Sequence, residues 1–96
     1  MKKLINSLLG LIEVSRVLGL NENNLENAKD YLVHNEYELC FDTIITQMYE
    51  YDIEISNEVY NSISRIGKTM NLQQDSYSFM KELIRNDDDI SNLVED

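Results

Sequence analysis

The sequence predicts an all-α fold, a compact bundle of four to five short helices joined by helical-hairpin connections. Proline is absent and glycine occurs only three times in 96 residues, so little interrupts a helical chain. Apolar residues return every three or four positions in one stretch after another, with polar capping residues between the stretches. The β-branched residues do not alternate with polar ones, as a half-buried strand would require.

A first helix is expected over about Lys2 to Leu18, with Leu4, Ile5, Leu8, Leu11, Ile12, Ser15 and Leu18 on one face. Leu9 and Val17 widen that arc and predict a central helix. Gly10 costs about 1 kcal/mol against Ala in mid-helix, and a close helix crossing there would compensate. Gly19 has the position of a left-handed closing residue, with Leu20 as its apolar companion. After a polar turn, Asn23 and Glu26 read as a capping pair that opens a second helix running to about His34. Leu25, Ala28, Tyr31 and Leu32 form its inner face. The link His34-Asn35 is so short that only a helical hairpin with the third helix fits.

The third helix is the stretch around which the chain is organised. Asn35 is expected to cap it, with Glu38 answering three residues on. Tyr37, Cys40, Phe41, Ile44, Ile45, Met48 and Tyr51 then form a wide apolar stripe. Tyr51 to Ile55 is a short loop from which Ile53 and Ile55 fold back under the bundle. Ser56 caps a fourth helix, Asn57 to about Met70, with Val59, Tyr60, Ile63, Ile66, Gly67 and Met70 inward. Asp75 is the expected cap of a fifth helix, about Ser76 to Asn86, that buries Tyr77, Met80, Leu83 and Ile84. Asp87 to Asp89 end it, Ile90, Leu93 and Val94 dock as a last turn, and residues from about 87 to 96 are expected to fray. The whole chain, 1–96, reads as one domain, able to bury roughly 60–65% of its unfolded surface.

Eighteen acidic residues against eight basic ones give a net charge of −10. That balance argues against nucleic acid, whose phosphates demand Lys and Arg, and against anionic membrane surfaces. A basic protein surface would be attracted. The single cysteine, Cys40, has no partner for an internal disulfide and suggests a reducing compartment. The N-terminal stretch mimics a secretory signal, but Asn6, Ser7 and Glu13 interrupt it and no small-x-small cleavage site follows. A cytoplasmic protein is expected.

No catalytic, cofactor or metal site is expected from the residues. Asp30 and His34 stand i,i+4 on one helix face, yet a metal needs further ligands, and a surface pair at a helix end is the simpler reading. Cys40 sits on the apolar stripe, where a buried inert thiol is usual. The carboxylates show no pair with opposed environments for acid–base work. The candidate partner-binding residues lie instead on the third helix and its exit: Glu36, Glu38, Asp42, Tyr49, Glu50, Asp52 and Glu54. Between Asp30 and Ser64 there is no Lys or Arg at all. Tyr49 or Tyr51 must be at the surface, because consecutive helical residues point about 100° apart. An exposed Tyr49 would serve as the aromatic anchor of a docking site.

The run Leu25-Glu26-Asn27-Ala28, then Tyr31-Leu32, Asn35-Glu36-Tyr37 and Tyr49-Glu50-Tyr51-Asp52-Ile53, followed by Tyr60, Ile63 and Gly67, resembles the MafI family of immunity proteins from bacterial polymorphic toxin systems. The similarity covers about Leu18 to Ile84. Cys40 stands where a small Ala is expected, and Glu54 where a proline would suit the turn. The resemblance implies a non-catalytic protein that binds and blocks a cognate toxin domain, commonly a nuclease with a cationic active site. It assigns no contact residues. Two other classes compete. Ala28, Tyr31, Leu32, Tyr37 and Phe41 are similar to one tetratricopeptide unit, which suggests a helical-hairpin adaptor, but no second copy follows. A nucleic-acid mimic would use the same carboxylates against a different partner.

Overall fold

The computed structural model describes residues 1–85, and four α-helices carry them. They are α1 (Lys2–Leu18), α2 (Glu22–Val33), α3 (Tyr37–Glu50) and α4 (Asn57–Thr69), followed by two 3₁₀ turns, Gln74–Ser76 and Ser78–Leu83. The all-α bundle is therefore as the spacing predicts. Among the described residues there is no strand, only one isolated parallel bridge between Ile55 and Ile84. The readings made on Asp87 to Asp89, Ile90, Leu93 and Val94 lie outside the described residues.

α2 and α3 form the expected hairpin, and α1 packs against α2, α3 and α4. The core holds Leu8, Leu11 and Ile12 of α1, Leu25 and Ala28 of α2, Phe41, Ile44, Ile45 and Met48 of α3, and Ile63 of α4. Ser15, the one buried polar residue among those described, directs its hydroxyl at Met48 Sδ, 3.5 Å away. α1 is less enclosed than the wide apolar arc suggests, for Leu9 and Val17 are exposed. Tyr31 and Tyr51 are exposed too, so neither belongs to the inner face expected of it.

All four helices stop in the same way. Gly19, Asn35, Asp52 and Asn71 take positive φ values of 111°, 62°, 52° and 60°. The N–H of the next residue then reaches back five positions: Leu20 to Ser15, Glu36 to Tyr31, Ile53 to Met48 and Leu72 to Gly67, at 2.8–3.0 Å. These are Schellman closures, and they satisfy carbonyls that the helix end leaves free. Only the one at Gly19 is expected from the sequence. At Asn35 the demand of α2 for a left-handed residue overrides the capping of α3. Glu36 stands at the N-cap of α3 without a side-chain cap bond, and Asn35 Oδ1 accepts instead from the Tyr37 hydroxyl at 3.0 Å. The cap of α2 is likewise Asn21, which accepts from Asn24 N–H at 2.9 Å, and not Asn23. Ser56 caps α4 as expected, accepting from Val59 N–H at 3.1 Å.

The fifth α-helix is replaced by the pair of 3₁₀ turns. Tyr77, Met80 and Leu83 are buried, as predicted, but they recur at intervals of three, and a 3₁₀ turn aligns i with i+3 where an α-helix does not. Asp75 lies inside the first turn and caps nothing. Tyr77 packs closely against Gly67, where a Cβ would meet its ring at 2.5 Å. The close approach expected at Gly10 occurs here instead, since nothing lies within 4 Å of a Cβ built on Gly10. The loop after α3 is stitched to this last segment. Ile55 N–H donates to Leu83 O at 2.9 Å, and Arg85 N–H to Ile55 O at 2.7 Å.

Candidate protein-docking face

α3 buries Cys40, Phe41, Ile44, Ile45 and Met48, which turns the rest of its circumference outward. Positions 38, 42 and 49 fall within about 40° of one another around the helix axis. Glu38, Asp42 and Tyr49 therefore share one exposed edge, with Glu50 exposed about 80–120° round the helix from them and Asp52 and Glu54 exposed beyond the helix end. Glu36 lies at the opposite end, about 20 Å away along the axis. The seven predicted residues are thus strung along α3 and its exit and do not converge on one point. Among the described residues, none of the six carboxylates pairs with a base. The ion pairs present are Arg16 with Glu13 and Glu22, and His34 with Asp30.

Two local features run against the stability of α3. Glu38 and Asp42 are like charges at i,i+4, a spacing that destabilises a helix by about 0.2–0.5 kcal/mol. Its last turn holds Glu50 and no base, with Asp52 and Glu54 following, at the end where the macrodipole favours cations.

Tyr49 is exposed on this edge, as expected, but its ring is already engaged within the chain. Its hydroxyl donates to Glu82 Oε1 at 2.8 Å, and its ring meets Phe79 edge-on with centroids 5.1 Å apart. The hydrogen bond to Glu82, then that carboxylate's charge, with smaller contributions from burial and Asp52, raise the phenol above its ordinary range. Tyr49 ties α3 to the second 3₁₀ turn and brings Glu82 into the acidic edge. The rings and chains that do stand free are Tyr51, 57% exposed, and Leu39, 45% exposed. Leu39 was legible in principle, since it falls outside the Tyr37–Cys40–Phe41 stripe. Glu82 was not, because no local pattern announces a contact 33 residues away.

Cys40 is fully buried, and that burial pushes its thiol up to about 11. His34 Nδ1 donates to the Asp30 carbonyl at 2.8 Å, closing the end of α2 on an exposed surface. Among the described residues, no three His, Cys, Asp or Glu side chains are grouped to hold a metal, and no helix is long and apolar enough to cross a membrane. Compared with protein-family models, with curated proteins and with solved structures, the chain gives no match.

Proposed function

We propose that this chain is a non-catalytic immunity protein, of the kind its MafI-like sequence suggests, that binds a cognate toxin domain through the acidic edge of α3. The observation that carries the reading is the unfavourable charge on α3. Glu38 and Asp42 repel each other, Glu50, Asp52 and Glu54 crowd the negative end of the dipole, and no base relieves them. Solubility alone needs no such arrangement, because charge dispersed over the surface achieves it at less cost. A basic partner would relieve the repulsion on docking and be steered towards the edge. Leu39 and Tyr51 supply exposed apolar contacts beside the carboxylates, and side chains of that kind hold a complex together after encounter.

The gene's neighbours and the partner's protein test this together. A toxin-type domain encoded next to this chain should bind it, and co-expression should protect cells from that domain. Lack of binding, or protection that survives Glu38→Lys with Asp42→Lys, contradicts the proposal. A helical-hairpin adaptor would bind the same domain no better than unrelated proteins, and a nucleic-acid mimic would bind unrelated nucleic-acid-binding proteins as well as it binds the neighbour's domain.

A further inference from the structure

A groove of about 440 Å³ runs between α1 and α4. Its apolar lining is Leu4, Leu11 and Val14 of α1 with Val59 and Ile66 of α4. Lys3 and Arg65 also line it, with the hydroxyl residues Ser7, Ser62 and Thr69. Among the described residues no acidic side chain lines it, in a chain with eighteen acidic residues and eight basic ones. Among the described residues, neither Lys3 nor Arg65 is engaged in an ion pair. Gly10 belongs to the same wall, and the space over it is open. A mid-helix glycine costs α1 stability that no close packing among the described residues recovers. What it does provide is room in the groove.

We propose that this groove binds a small amphipathic anion, an aliphatic carboxylate of medium chain length. Its tail lies along the apolar lining over Gly10, and its head group meets Lys3 and Arg65. The volume lies within the ~300–1,000 Å³ usual for small-molecule sites, where an apolar lining and a few polar groups fix the ligand. The wall from Lys3 to Val14 is about 16 Å long at the helical rise, enough for an extended chain of that kind. Lys3 and Arg65 select the charge. α3 contributes nothing to the lining, so this site and the acidic edge stand or fall separately.

The test uses the full chain and 8-anilinonaphthalene-1-sulfonate, a fluorescent amphipathic anion, with decanoate as competitor. The dye should bind once per chain with a blue-shifted emission, and decanoate should displace it while decyltrimethylammonium does not. Arg65→Glu, at an exposed position, should weaken both anions tenfold or more. Gly10→Leu should abolish binding with an unchanged circular-dichroism spectrum, and Ser62→Leu blocks the opposite wall should Gly10→Leu fail to fold. Three results would overturn the proposal: no saturable dye binding, equal competition by the cationic amphiphile, or affinities indifferent to both Arg65→Glu and a folded groove-filling variant.

Discussion

Cys40 and the four left-handed residues show how single positions carry the fold. Cys40 has no exposed surface, and its thiol is held up to about 11 by desolvation, so the neutral form is the one the core accepts. The unfolded thiol ionises near 9.0. Its contribution to stability is therefore complete below about pH 9 and is lost as pH rises towards 11, on the order of 2–3 kcal/mol in all. Urea midpoints measured from pH 8 to 11 should fall for the native chain and fall less for Cys40→Ala, while the native thiol should resist labelling at pH 8. The stripe around Cys40 made its burial legible. The turns were legible only where glycine marked them, since Asn35, Asp52 and Asn71 are also ordinary capping and surface residues. A non-glycine residue in the left-handed region costs about 1–2 kcal/mol, less for Asn and Asp. Asp52→Gly should thus stabilise the chain by about 0.5 kcal/mol or more and Asp52→Ala should destabilise it. Equal midpoints for the two variants in urea would contradict that account. Asp52→Asn keeps the turn and removes only the charge, which makes it the proper variant for binding tests.

Between elements, the two helical glycines have opposite roles. Gly67 admits the Tyr77 ring to a distance that any Cβ would violate, whereas Gly10 faces open space. Gly67→Ala should cost about 1–2 kcal/mol, overpacking outweighing the gain in helix propensity, and Gly10→Ala should add about 0.5–1 kcal/mol. Thermal midpoints moving in the same direction would refute this reading of the two sites. Periodicity in the sequence shows that both glycines lie on helices but not which one faces a neighbour, because that depends on where the segment after α4 returns. The same limit explains the 3₁₀ turns. Their inward residues were identified correctly, yet the spacing of three that sets Tyr77, Met80 and Leu83 apart from an α-helix is short enough to pass for one. The contact between Tyr49 and Glu82 belongs to this scale as well. Tyr49→Phe should loosen the second 3₁₀ turn, read as faster amide exchange at Ile84 and Arg85, with the edge-on contact to Phe79 kept. Unchanged exchange there would show that the hydroxyl bond does not hold the turn.

At the scale of the molecule, charge is segregated. No Lys or Arg occurs from Asp30 to Ser64, a span that covers α3 and most of α4, while Lys3 and Arg65 both line the α1–α4 groove. The acidic run was plain in the sequence, and so was its place on a helix. Which aromatic residue stands free was not, because the contact that engages Tyr49 is made by the last described segment, 33 residues away. Charges arranged against a helix dipole imply a trade between stability and binding. Glu50→Lys should stabilise the isolated protein by about 0.3–1 kcal/mol and weaken docking. Loss of stability in that variant would remove the case for a functional edge. The most direct test of that edge is the association rate with the neighbouring toxin-type domain, measured against ionic strength for the native chain and for Glu38→Lys with Asp42→Lys. The native rate should fall steeply with salt, and the double variant should associate at least tenfold more slowly at low salt with a nearly flat dependence. Identical rates and identical salt slopes for the two proteins would contradict docking through α3.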